Sequence, residues 1–135
     1  MPSALSPNRI LIVDDEVLIA RDIKNQLEAL GYEAIGHATR GEEAIVLAAK
    51  LRPDLVLMDI QLGGAMDGIA AAQAIRTQLA LPVVFLTAFA ADDILERAKL
   101  TEPFGYVLKP FEDRDLATQI ELALHKHQTD REQRQ

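Results

Sequence analysis

Five short apolar runs, each followed by a stretch of helical spacing, divide this chain. Arg9–Val13 is rich in β-branched residues and predicts a first strand, β1. From Glu16 the period changes: Ile19, Ile23, Leu27 and Leu30 fall on one stripe and Gly31 supplies a stop, predicting α1. Tyr32–Ala38 reads as β2, less apolar and so nearer a sheet edge. Thr39 then offers an N-cap with Glu42 three residues on, the spacing of a capping box. Ala44, Leu47, Ala48 and Leu51 make the apolar face of α2, which Pro53 ends. Leu55–Met58 predicts β3, and a glycine-containing loop, Gln61–Asp67, follows it. The spacing of Ile69, Ala72, Ile75 and Leu79 predicts α3 over Gly68–Leu79, broken by Pro82. Val83–Leu86 predicts β4, the most continuous apolar run. Ala90–Leu100 predicts α4, with Asp92 and Asp93 near its positive end. Gly105–Leu108 predicts β5. Glu112–His127 predicts α5, with Leu116, Ile120, Ala123 and Leu124 as its stripe. Residues 1–8 read as a loose leader and 128–135 as a polar, frayed tail, leaving 9–127 as one domain.

Strand and helix alternate five times. Strands that are apolar almost throughout belong to a parallel sheet covered on both faces, and right-handed crossovers make it an open, doubly wound α/β layer structure. In such sheets ligands bind at the carboxyl ends of the strands. Those ends are unusual in this chain. Asp14 and Asp15 follow β1, Asp59 follows β3, Thr87 follows β4 and Lys109 follows β5. Three carboxylates, a hydroxyl and an ammonium at one sheet edge suit a divalent metal and phosphoryl chemistry.

Bulk properties narrow the field without redirecting it. The 135 residues fit one domain with a proper core. A net charge of -7 argues against a nucleic-acid surface, which needs a clustered basic face. With no cysteine, disulfides, thiolate nucleophiles and Cys-ligated zinc are ruled out. The leader has no apolar segment of a secretory signal, and no run approaches the ~18 apolar residues of a membrane span. A cytoplasmic location is the expectation.

Five segments in order then carry a family resemblance. They are Ile-Leu-Ile-Val-Asp-Asp-Glu (10–16), Asp-Leu-Val-Leu-Met-Asp-Ile (54–60), Asp-Gly-Ile (67–69), Pro-Val-Val-Phe-Leu-Thr-Ala (82–88) and Gly-Tyr-Val-Leu-Lys-Pro-Phe (105–111). Together they resemble the receiver domain of bacterial two-component response regulators, in its single-domain, chemotaxis-regulator-like form. The resemblance implies a flavodoxin-like fold with strand order 2-1-3-4-5. It implies that Asp59 is the phosphoacceptor, supplied by a histidine kinase or phosphotransfer protein. It implies Mg2+ bound through Asp15, Asp59 and the backbone carbonyl of Gln61, with Asp14 beside them mostly through water. Thr87 and Lys109 would hold phosphoryl oxygens, and Tyr106 would be the aromatic switch that turns inward with Thr87. The surface of α4, β5 and α5 would carry the output to a downstream protein, as a monomer or a phosphorylation-dependent dimer. The Lys109-Pro110 bond is expected to be cis on the same ground.

The physics agrees with those roles. An attacking carboxylate among other carboxylates repels an anionic donor unless a cation intervenes, and Mg2+ takes oxygen ligands while keeping several waters. Pro110 biases Lys109 away from helix and holds it at the strand end. Val17 and Leu18 fall off the buried stripe of α1, beside the site. In the family α1 meets the kinase, so Leu18 is expected to contact the phosphodonor.

Plainer readings stand beside these. Asp14-Asp15 is also a good N-cap for α1. His37, His125 and His127 are not spaced as a metal cluster and read as structural or solvated. Gly63-Gly64 lacks the Lys-Ser/Thr pattern of a phosphate-binding loop, and it stands where many receivers have a proline and one residue fewer. Gln61 and Phe89 flank the acceptor and the Thr87 loop, where side chains can screen attacking water, and Ala88 is small enough to admit a donor. Eight tail residues are too few for an effector domain, so the chain reads as a single-domain regulator or an excised receiver. Two further functions compete. One is a phosphorylation-independent docking domain. The other is a haloacid-dehalogenase-type phosphatase, disfavoured because Asp14 is followed two residues later by Glu16 where that class wants a second Asp. The expectation is therefore a phosphoacceptor, not an enzyme that turns over a substrate.

Overall fold

A computed structural model describes residues 8–62, 66–87, 105–108 and 111–133. The described elements run β1 (Arg9–Val13), α1 (Val17–Ala29), β2 (Glu33–Ala38), α2 (Gly41–Leu51), β3 (Leu55–Asp59), α3 (Gly68–Leu79), β4 (Val83–Thr87), β5 (Gly105–Leu108) and α5 (Asp113–Gln133). The strands form one sheet in the order β2-β1-β3-β4-β5, every neighbouring pair parallel. The flavodoxin-like architecture expected from the resemblance is the one present. The segment expected to form α4 lies outside the described residues, as do residues 1–7, Gly63-Gly64, Ala88, Phe89, Lys109 and Pro110.

Two apolar layers sandwich the sheet. Leu11, Val13, Val56, Met58 and Phe85 pack against Ala44, Ala48, Ile69, Ala72 and Ile75 of α2 and α3. On the other face Ile10, Ile12, Leu55, Leu57, Val84 and Leu86 meet Ile23, Leu27, Leu116, Ile120 and Ala123 of α1 and α5. Successive strand residues point to opposite faces, so both layers need apolar side chains from the same strands. That is why β1, β3 and β4 read as unbroken apolar runs. β2 has one strand neighbour and sits at the edge, as its mixed composition predicts.

Helix ends follow local chemistry in most places. Gly31, at φ 95°, closes α1. The N–H of Tyr32 donates to the Leu27 carbonyl (2.9 Å) and that of Gly31 to the Glu28 carbonyl (3.1 Å), a Schellman closure. Asp67 caps α3 by accepting from the N–H of Ala70 (2.9 Å).

Several boundaries differ from the sequence expectation: β2 starts at Glu33, β3 runs on to include Asp59, β4 runs on to include Thr87, and the starts or ends of α2 and α5 shift. α2 starts at Gly41 with Arg40 at the N-cap position, and Glu43, not Glu42, reaches back to accept from the N–H of Thr39 (2.9 Å). Packing sets this frame, because Gly41 is buried against Met66 and Ala71 and a helix starting there brings Glu43 over Thr39. α5 continues to Gln133 instead of ending at His127. No glycine or proline interrupts the chain after Pro110, and Asp, Arg, Glu and Gln in the last turns include good helix formers.

Candidate functional site: an acidic cluster at the carboxyl edge of the sheet

The ladder register builds the site. Val13 pairs with Met58, so the residues that follow them, Asp14 and Asp59, stand side by side at the sheet's carboxyl edge. One carboxylate oxygen each from Asp14, Asp15 and Asp59 lie within 4.8 Å of one another. Among the described residues no other group of three acidic or histidine side chains gathers in this way. Asp14 and Asp59 are buried and Asp15 is exposed.

Each buried aspartate turns the chain as it leaves the strand. The Oδ1 of Asp14 accepts from the N–H of Glu16 (2.9 Å), and the Oδ1 of Asp59 accepts from the N–H of Gln61 (3.0 Å). These turns use the short aspartate side chain as a substitute for a backbone carbonyl. They also leave Glu16, not Asp14 or Asp15, as the N-cap residue of α1, without a side-chain cap. The capping reading of the Asp14-Asp15 pair is thereby displaced by the cluster.

β2 clamps the Asp14 backbone from the side. The N–H of Asp14 donates to the Ala38 carbonyl (3.0 Å), and Nε2 of His37 donates to the Asp14 carbonyl (2.7 Å). Solvation or a packing role was all the sequence suggested for His37. Its place next to the end of β2, the strand beside β1, is the signal that links it to the site.

The backbone of Asp59 is held from α3. Gly68 donates its N–H to the Ile60 carbonyl (3.0 Å). A Cβ at Gly68 would lie 1.9 Å from the Asp59 carbonyl oxygen, so only glycine permits this approach. Asp67-Gly68 therefore has two separate duties: the aspartate starts the helix and the glycine seats it against the end of β3.

Some of the other expected residues lie within the described part of the structure. Thr87 is the last residue of β4 and is buried. Leu86 pairs with Asp59 on β3, which puts Thr87 one step further toward the carboxyl edge. Leu108, the last residue of β5, pairs with Thr87, and Tyr106 pairs with Phe85. The Tyr106 side chain and Lys109 lie outside the described residues. Gln61 stands two residues past Asp59 and is exposed. Leu18 is 73% exposed and Val17 58% exposed, at the start of α1 beside the cluster.

A cation answers the chemistry of the cluster. If Asp14 and Asp59 are both ionised, their separation costs at least about 3 kcal/mol at an effective dielectric near 20. The donors are all carboxylate oxygens, which suits a hard divalent ion such as Mg2+ and not a metal that prefers nitrogen or sulfur. The residues present therefore fit Mg2+.

Residues 10–121 match the model of the response regulator receiver domain. The chain is 43% identical over 123 residues to the transcriptional regulatory protein PdtaR of Mycobacterium tuberculosis, covering 91% of this chain and 60% of that protein. Among solved structures it superposes on the signal receiver domain of a modulated diguanylate cyclase from Desulfovibrio desulfuricans at TM-score 0.88 and 40% identity, covering 93% and 99% of the two chains. It also superposes on the chemotaxis protein CheY4 of Vibrio cholerae at TM-score 0.78 and 26% identity, over 87% and 99%. The chain belongs to the response regulator receiver domain family of two-component systems. It spans less than two-thirds of the length of PdtaR. Among the described residues no helix is long and apolar enough to cross a membrane.

Proposed function

We propose that this chain is a phosphorylation-controlled signalling module of the cytoplasm, in which Asp59 receives a phosphoryl group from a histidine kinase or phosphotransfer protein. The observation that carries the reading is the convergence of Asp14, Asp15 and Asp59 at the carboxyl edge of the sheet, with Thr87 at the end of the adjacent strand. In the transfer, an oxygen of the Asp59 carboxylate forms a bond to phosphorus while the bond from phosphorus to the donor's histidine nitrogen breaks. The product is an acyl phosphate on Asp59, and the histidine nitrogen leaves with the bonding pair.

Asp15, Asp59 and the Gln61 carbonyl would hold Mg2+, with Asp14 supporting it mostly through water. When bound, the ion supplies positive charge against the phosphoryl oxygens, where catalysis of such transfers mainly lies. Thr87 donates its hydroxyl to one phosphoryl oxygen and Lys109 its ammonium to another. The added group brings roughly two negative charges and three acceptors. Movement of Thr87 toward it vacates space for the Tyr106 ring, and the surface of α4, β5 and α5 changes for a downstream protein. Exposed Leu18 offers the phosphodonor an apolar contact beside the acceptor. The output of this cycle is a surface, not a released product.

Incubation with acetyl phosphate and Mg2+, followed by intact mass, tests the reading. Wild type should gain one phosphoryl group and Asp59→Asn none. A wild type that gains no phosphate, and shows no Mg2+-dependent change with beryllofluoride, would leave a phosphorylation-independent docking domain instead. Leu18→Asp should slow transfer from the cognate kinase while sparing labelling by acetyl phosphate; equal loss from both donors would remove Leu18 from the docking surface.

A further inference from the structure

The three carboxylates of the cluster are not anchored alike. Those of Asp14 and Asp59 each accept a backbone N–H two residues ahead, at 2.9 and 3.0 Å. The carboxylate of Asp15 accepts no hydrogen bond and makes no ion pair among the described residues, and it is exposed. The backbone that carries it therefore fixes only its Cα–Cβ direction, and with it which positions the carboxylate can reach. That backbone begins with the peptide joining Asp14 to Asp15, whose oxygen is the Asp14 carbonyl. His37 holds this oxygen at 2.7 Å through Nε2.

We infer that His37 is a positioning residue for the metal site: by fixing the Asp14–Asp15 peptide plane from the edge strand, it aims the Asp15 carboxylate into the cluster. The inference rests on the reading of the cluster as a Mg2+ site.

The fold explains why this side chain can do it. β2 pairs with β1 through Arg9↔Glu33 and Ile10↔Ala34, then resumes at Leu11↔Gly36 and Ile12↔His37. Ile35 is the extra residue of a bulge. A bulge shifts the alternation by one, and so re-aims the side chains beyond it. Without it the residue level with Ile12 would be Gly36, which has no side chain to offer. With it, His37 stands level with Ile12, two residues before Asp14, and reaches past the end of β1. The N–H of Asp14 is already taken by the Ala38 carbonyl, so the edge strand grips this residue by both its polar backbone groups.

A hydrogen bond of this kind is worth about 0.5–1.5 kcal/mol net, a factor of roughly 2 to 13 in an equilibrium constant. His37→Ala should therefore weaken Mg2+ binding by about five-fold. His37→Gln places an amide N–H near the position of Nε2 and should recover most of that loss. Mg2+ titrations of the 135-residue chain by calorimetry, with the Asp15 and Glu16 amide signals followed by NMR, read this without any phosphoryl transfer. Denaturant midpoints without Mg2+ report stability separately.

Weaker Mg2+ binding in His37→Ala, restored in His37→Gln, supports the role. Equal affinity in wild type and His37→Ala, whatever the change in stability, overturns it while leaving the metal site intact. Equal loss in His37→Ala and His37→Gln overturns it too, since the donor would not be what matters. A wild type that binds no Mg2+ overturns the reading of the site and this inference with it.

Discussion

Replacing Gly68 with alanine adds one carbon where the end of β3 already stands. The new Cβ would lie 1.9 Å from the Asp59 carbonyl oxygen and 2.9 Å from the Asp59 carbonyl carbon and the Ile60 Cα. All three neighbours are backbone atoms, which cannot rotate away as a side chain can. Relief requires a shift of at least about 1.1 Å by the first turn of α3 or by the Asp59–Ile60 peptide. Overpacking of this kind costs about 1–3 kcal/mol. Loss of the Gly68 N–H to Ile60 carbonyl bond adds about 0.5–1.5 kcal/mol. Better helix propensity returns at most about 1 kcal/mol. The net expectation is a destabilisation of about 1–3 kcal/mol, read from urea midpoints at constant m.

Gly31→Ala is the matched comparison. Gly31 has no atom within 4 Å of a built Cβ but sits at φ 95°, whereas Gly68 lacks a positive φ. One variant thus measures crowding and the other backbone conformation, at about 1 kcal/mol. Only Gly68→Ala should also lower the yield of acetyl phosphate labelling, since it alone displaces Asp59. The reasoning is refuted if Gly68→Ala keeps wild-type stability and labelling, or if Gly31→Ala loses labelling equally.

Three other outcomes follow from the same structure. Asp67→Ala removes the α3 cap and should cost about 1 kcal/mol of stability, with Asp67→Ser recovering much of it in urea titrations. Ala80, the C-cap of α3, is held at φ 56°, so Ala80→Gly should raise the urea midpoint by about 0.5–1 kcal/mol equivalent while His127 keeps its bond to the residue 80 carbonyl. Burial, then the hydrogen bond to Glu121 and its charge, push the Tyr32 hydroxyl well above its ordinary value of 10.0. The folded state therefore favours protonated Tyr32, and this contribution is full below about pH 10 and lost as pH rises beyond it. Urea midpoints between pH 8 and 11 should fall less steeply for Tyr32→Phe than for wild type, and parallel curves would remove Tyr32 as the cause.

Much of this molecule is readable before any coordinate is known. β1, α3 and β5 fall where the apolar pattern puts them, and of the polar residues at the strand ends Asp14, Asp15 and Asp59 meet. The pattern suffices there because a sheet buried on both faces demands unbroken apolar runs, and the runs give way to polar residues at the sheet's carboxyl edge. Turn chemistry is equally local: Gly31 and Asp67 act through their own backbone within a few residues. α2 shows the limit. Thr39 and Glu42 satisfy a capping box on paper, yet the fit of Gly41 against Met66 and Ala71 starts the helix one residue later and gives the contact to Glu43.

By itself, then, the sequence determined the order of elements, the two-faced sheet and the residues that leave its carboxyl edge, because periodicity and termination are short-range properties. Tertiary structure alone decided the register that sets Asp14 beside Asp59, the bulge that turns His37 toward the Asp14 carbonyl, and the seat that Gly68 makes for α3 on Asp59. Each joins segments more than eight residues apart in the chain. Their geometry depends on strand pairing and close packing, which no local pattern of residue types records.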